Sequence, residues 1–84
     1  MDPTKLLSRL ARGTVTNVRF RDLQGLAEAM GFRLVRVNGS HHIYAHPEVP
    51  ELLNLQAVRG QVKPYQVRQL LKLIERYGLR LEEP

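Results

Sequence analysis

Gly31-Phe32-Arg33-Leu34-Val35-Arg36-Val37-Asn38-Gly39-Ser40-His41-His42-Ile43-Tyr44-Ala45-His46 is the stretch that decides the fold of this chain. Phe32 to Val37 is rich in aliphatic and β-branched residues without the repeat of a helix, so it reads as a strand. Asn38-Gly39 is the strongest short hairpin signal, because both central positions of a type I′ turn need positive φ. His41 to His46 then returns antiparallel as a second strand. A lone hairpin is marginal in water, so the flanking sequence must cover one of its faces.

On the N-terminal side, Leu23, Leu26, Ala27 and Met30 recur at i, i+3, i+4 and i+7. That spacing predicts an amphipathic helix from about Phe20, closed by Gly31. Further upstream, Asp2-Pro3 opens a shorter helix to about Arg12, with Leu6, Leu7, Leu10 and Ala11 on one side and Gly13 as its stop. Thr14 to Val18 reads as an extended connector. On the C-terminal side, the prolines between Pro47 and Glu51 predict a second turn, and Leu52-Leu53-Asn54-Leu55-Gln56 a third strand. Arg59 to Gln61 begins a loop. Pro64 suits the first turn of a last helix, striped by Val67, Leu70, Leu71 and Ile74 and ended by Gly78. The expected fold is α+β: an α-β-β-β-α unit with a three-stranded antiparallel sheet and both helices on one face, plus an extra N-terminal helix. A chain of 84 residues has room for one domain, taken as 1–84, with 2–12 an N-terminal helical extension and 20–77 the core.

Composition narrows the function classes. The absence of cysteine excludes a disulfide framework and a thiolate metal cage, and the formal charge of +5 favours a polyanionic partner, with nucleic acid ahead of an acidic protein. No apolar run approaches the ~18–20 residues of a membrane span, and Met1 to Lys5 lacks the layout of a signal peptide, so a cytoplasmic location is expected.

All three histidines fall between His41 and His46. Strand alternation places His42, Tyr44 and His46 on one face and His41, Ile43 and Ala45 on the other. With Ile43 in the core, the first set would share the open face. Adjacent imidazoles diverge and no helical His-x-x-x-His pair exists, so no metal site is expected. The plain reading of these residues is polar decoration of a strand. Against it, imidazole titrates near neutrality, and RNA carries its own nucleophile, the 2′-hydroxyl. Cleavage then needs only a base and a cation to neutralise the phosphate. A serine mechanism at Ser40 fits less well, for want of a carboxylate to orient the histidine. Cations are supplied by Arg33, Arg36, Arg59, Lys63, Arg68, Lys72 and Arg76, the last three recurring at i, i+4 and i+8. Lys63 stands just before Pro64, where the free amides of a helix N-terminus attract phosphate. Tyr44 is either a platform for a base or a packing residue on the sheet.

Gly39-Ser40-His41-His42-Ile43-Tyr44-Ala45-His46-Pro47, preceded by Gly31 to Val37 and followed by Lys63-Pro64-Tyr65-Gln66-Val67-Arg68-Gln69-Leu70-Leu71, resembles the HicA (YcfA-like) mRNA interferase toxins from about Phe20 to Tyr77. The resemblance implies a fold similar to a double-stranded-RNA-binding domain. It implies an endoribonuclease that cleaves mRNA independently of the ribosome and is neutralised by a HicB-type antitoxin, with no cofactor. The essential histidine of the motif corresponds to His41, with His42 in reserve. Gly39, Ser40, Tyr44, Arg59, Lys63 and Arg68 are the candidate RNA-binding residues. Where a Gly-Thr pair often follows Lys-Pro in the family, this chain reads Tyr65-Gln66. The competing reading is a non-catalytic RNA-binding or partner-binding module on the same fold, and a weaker one a basic scaffold that docks on an acidic protein.

Overall fold

A computed structural model describes residues 1–82. The elements run α1 (Pro3–Ala11), β1 (Val18–Arg19), α2 (Phe20–Ala29), β2 (Arg33–Asn38), β3 (His41–His46), β4 (Val49–Gln56), β5 (Gln61–Val62) and α3 (Pro64–Tyr77). β2, β3 and β4 form an antiparallel sheet in that order, and β1 pairs with β5 in a separate two-stranded ribbon. The α+β layout expected from the pattern is therefore present, with α1 added ahead of it.

Helix boundaries follow local chemistry. Asp2 caps α1, its carboxylate accepting from Thr4 N–H at 3.0 Å, and Pro3 and Pro64 sit at the starts of α1 and α3, where their missing N–H leaves no bond unmade. α2 lacks a side-chain cap; its first amide, Phe20 N–H, donates instead to Gly60 O at 2.9 Å, which fastens the helix to the turn before β5.

The core is aliphatic. Leu6 and Leu10 of α1, Leu23, Leu26 and Ala27 of α2, and Val67, Leu70 and Leu73 of α3 are buried against Tyr44, Leu53 and Leu55 of the sheet. On α3 the buried stripe runs through Leu73, while Leu71 and Ile74 are only partly covered. The helix is thus rotated by about one position from the stripe expected.

Three local expectations are corrected. Asn38 pairs with His41, so the two turn residues are Gly39 and Ser40. Only Gly39 has positive φ (61°), the sign pattern of a type II′ turn and not of type I′. Secondly, β4 begins at Val49, and the turn before it shrinks to Pro47-Glu48. Pro50 is tolerated because the pairing with β3 is irregular between Tyr44 and His46, so its missing N–H breaks no regular ladder. Thirdly, Val18, expected in a connector, and Gln61, expected in a loop, belong to β1 and β5, which pair with each other.

The faces of β3 are also the reverse of those considered above. Tyr44 is 1% exposed and lies under the helices, and Ile43 is half-buried on the open face. The larger ring fills the space between sheet and helices, and Gln24 of α2 donates to its hydroxyl at 2.8 Å, so burial leaves no polar atom unpaired. Burial pushes the Tyr44 phenol up from its ordinary range, with the Gln24 hydrogen bond opposing part of that shift. Tyr44 is accordingly a core residue with no ring face free for a base, a correction to its candidacy as an RNA contact.

Candidate functional site

The turn at Gly39-Ser40 sets the first residue of β3, His41, at the rim of the sheet. His41 is exposed on the open face, where its Nδ1 stands 3.2 Å from Asn54 Oδ1 on β4. With the amide oxygen as acceptor, Nδ1 is the donor, and in the neutral form of the ring Nε2 is the atom left to accept a proton. Arg36 opposes Ile43 in the β2–β3 pairing, and so shares this face with His41. Gln56 of β4, opposite His41, donates from Nε2 to Ser40 Oγ at 3.0 Å, closing the rim of the turn.

Adjacent His42 points the other way. Its ring meets Phe20 edge to face, with centroids 4.9 Å apart, and its Nδ1 lies 3.3 Å from the carbonyl of Ser40. The serine hydroxyl is thus bonded to Gln56 and not to a histidine, and neither His41 nor His42 has a carboxylate partner among the described residues. That arrangement does not make a serine nucleophile. His46, the third ring, is structural: Nε2 donates to Met30 O at 3.0 Å and Nδ1 accepts from Glu48 N–H at 3.0 Å, with Phe32 against its edge.

The hairpin is tied to α3 through a chain of carboxamides. Gln56 N–H donates to Gln66 Oε1 at 3.0 Å, and Gln66 Nε2 donates to the Tyr65 hydroxyl at 3.4 Å. Gln66 is the buried polar residue of the core, and both ends of its amide are used. Through these bonds the first turn of α3 is held beside the end of the sheet that carries Ser40 and His41. Lys63, just before that turn, lines a cleft of about 330 Å³ together with Thr16, Asn17, Val58, Gln61 and Pro64. Arg59 is exposed at φ 55° in the turn between Val58 and Gln61, whose Gly60 carbonyl receives the Phe20 amide. Arg59 therefore belongs to the His42 side of the hairpin. Arg68 is exposed one turn further along α3.

Gly39, Ser40 and His41 are thus together at the hairpin tip, Arg59 and Lys63 stand before and after β5, and Tyr44 is removed into the core. Asn54, Gln56 and Gln66 were not singled out from the sequence. The alternation Leu53-Asn54-Leu55-Gln56 carries the signal for the first two, since it sets both amides on the face opposite the core.

Residues 20–76 match the family model of the HicA toxin of bacterial toxin–antitoxin systems. No curated protein and no solved structure gives a significant match. No helix among the described residues is long and apolar enough to cross a membrane.

Proposed function

The chain belongs to the HicA toxin family of bacterial toxin–antitoxin systems, and from that premise we propose that it is an mRNA-cleaving endoribonuclease with His41 as its general base. The observation that carries this reading is the Asn54–His41 contact: it supports a ring held through Nδ1, whose Nε2 has no hydrogen-bond partner among the described residues, on an exposed face shared with Arg36. In the proposed reaction Nε2 takes the proton of a ribose 2′-hydroxyl. The 2′-oxygen attacks the adjacent phosphorus, the bond to the 5′-oxygen breaks, and that oxygen takes a proton from water. The products are a 2′,3′-cyclic phosphate and a 5′-hydroxyl end. Arg36 on the same face and Lys63 beside the α3 start supply charge against the pentacoordinate phosphate, and Arg59 does so on the His42 side. The nucleophile belongs to the substrate and the base to the protein, so the reaction proceeds without a metal ion, in the cytoplasm, until a HicB-type antitoxin covers the site.

Replacing His41 by Ala is expected to lower the cleavage rate by about 10²- to 10⁴-fold and to relieve growth arrest on induced expression, with an unchanged melting temperature. Cleavage should persist in the presence of a chelator. Full activity of folded His41→Ala with loss in His42→Ala would transfer the role to His42. RNA binding without cleavage by the unsubstituted chain would leave a non-catalytic binding module.

A further inference from the structure

Tyr65, Arg68, Gln69 and Lys72 line one shallow groove of about 280 Å³ on the outer face of α3. Tyr65 is 59% exposed, although it is aromatic and the core is built from the opposite side of the helix, by Val67, Leu70 and Leu73. Arg68 and Lys72 form no ion pair among the described residues, whereas Arg76, the next cation of the stripe, is bonded to Glu51 at 3.1 Å. The stripe is therefore divided: its C-terminal end is used within the fold and its N-terminal end faces solvent beside an uncovered ring. Residues 65, 68 and 72 are at i, i+3 and i+7 and share a face, and the helical rise separates the two cations by about 6 Å along the axis. The Tyr65 hydroxyl receives Gln66 Nε2, and Gln66 Oε1 accepts from the Gln56 backbone N–H, so the groove begins on the turn of α3 that is held beside the end of the sheet carrying Ser40 and His41.

We propose that this groove is a second contact for the RNA strand, in which an unpaired base stacks on the Tyr65 ring and the neighbouring phosphates lie against Arg68 and Lys72. The inference rests on the nuclease reading above and extends it to where the substrate is held outside the reacting bond. An unpaired strand uses every group present: a π-face for a base, two charges for successive phosphates, and the Gln69 carboxamide for a base edge. An acidic protein surface would also pair with the charges; the unpaired strand is favoured because it carries π-faces and anions in alternation along one chain, matching the ring and the two cations together.

The test is binding of a short, mixed-sequence 2′-O-methyl oligoribonucleotide, which cannot be cleaved because its nucleophile is blocked, alongside cleavage of the unmodified RNA. Tyr65→Leu should bind about tenfold more weakly than the unsubstituted chain at every salt concentration, while Tyr65→Phe, which keeps the ring, binds normally. Replacing Arg68 and Lys72 together by Gln should flatten the dependence of log affinity on log salt by about 1.4, the amount expected for two phosphates of a single strand. Melting curves establish that each variant is folded. If the chain cuts RNA but Tyr65→Leu binds as the parent does, or only the double charge variant matters, the stacking site is overturned and the nuclease reading stands. If the chain neither cuts the RNA nor binds the probe, both fall.

Discussion

The Nδ1 atom of His41 reaches Asn54 Oδ1 across the β3–β4 pair, so replacing Asn54 by Ala frees the ring to rotate without removing the proposed base. Cleavage by Asn54→Ala should fall by up to about 10²-fold in kcat with little change in KM, which steady-state kinetics on an oligoribonucleotide would measure. A loss confined to KM would assign Asn54 to substrate binding instead. At Gly31 the demand is steric and conformational together: φ is +100°, and an added Cβ would lie 2.8 Å from His46 Nε2. Gly31→Ala is therefore expected to cost about 1–3 kcal/mol, a drop of several degrees in melting temperature for a domain of this size. At this scale the motif was legible and its orientation was not. His42-Ile43-Tyr44-Ala45 offers one large apolar side chain to each face, so alternation alone could not say whether Ile43 or Tyr44 enters the core. The choice is made by Gln24, on another element, which pairs the buried hydroxyl.

Between elements, the C-terminal end of α3 is fastened to β4 by Glu51, which accepts from the Tyr77 hydroxyl and from Arg76. The Tyr77 hydrogen bond, with Arg76 behind it, holds the Glu51 carboxyl below its usual range, and the same bond raises the Tyr77 phenol. The signs are opposite. The Glu51 contribution is present above the ordinary carboxylate range and is lost as pH falls through its lowered value. The Tyr77 contribution is present below the ordinary phenol range and is lost as pH rises through its raised one. Melting temperature should thus decline at both extremes of pH, and Tyr77→Phe should reduce both declines; unchanged pH dependence in that variant would dismiss the latch. The long elements were legible because their periodicity is local, as in Leu23, Leu26, Ala27 and Met30. β1 and β5 were not, since each has two residues and exists only through the pairing of Val18 with Val62. Pro50 misled for a related reason: the irregular pairing that accommodates it exists only between two strands, with Tyr44 opposite Leu53 but His46 opposite Val49.

Across the molecule, α1 is part of the core and not an appendage, because Leu6 and Leu10 are 1% and 2% exposed. Leu6→Ala is expected to destabilise by about 2–5 kcal/mol, a large share of what a domain of this size possesses, and chemical denaturation would measure it. A loss below about 1 kcal/mol would mean that α1 is dispensable to the fold. The sequence showed the apolar side of this helix but not its destination, which depends on α2 turning beneath it. The closing contacts of the fold have a consequence for synthesis. Both candidate histidines are translated by mid-chain, yet Val62, the partner of Val18, and Gln66, the anchor of the Gln56 amide, come later. A nascent chain that has emerged only as far as Gln61 holds the imidazoles but not the ribbon, the buried carboxamide or the helix that fix their surroundings. The contacts that surround the candidate site are therefore completed by residues that follow it in the chain, so on a ribosome the imidazoles emerge before the ribbon and the helix that pack around them.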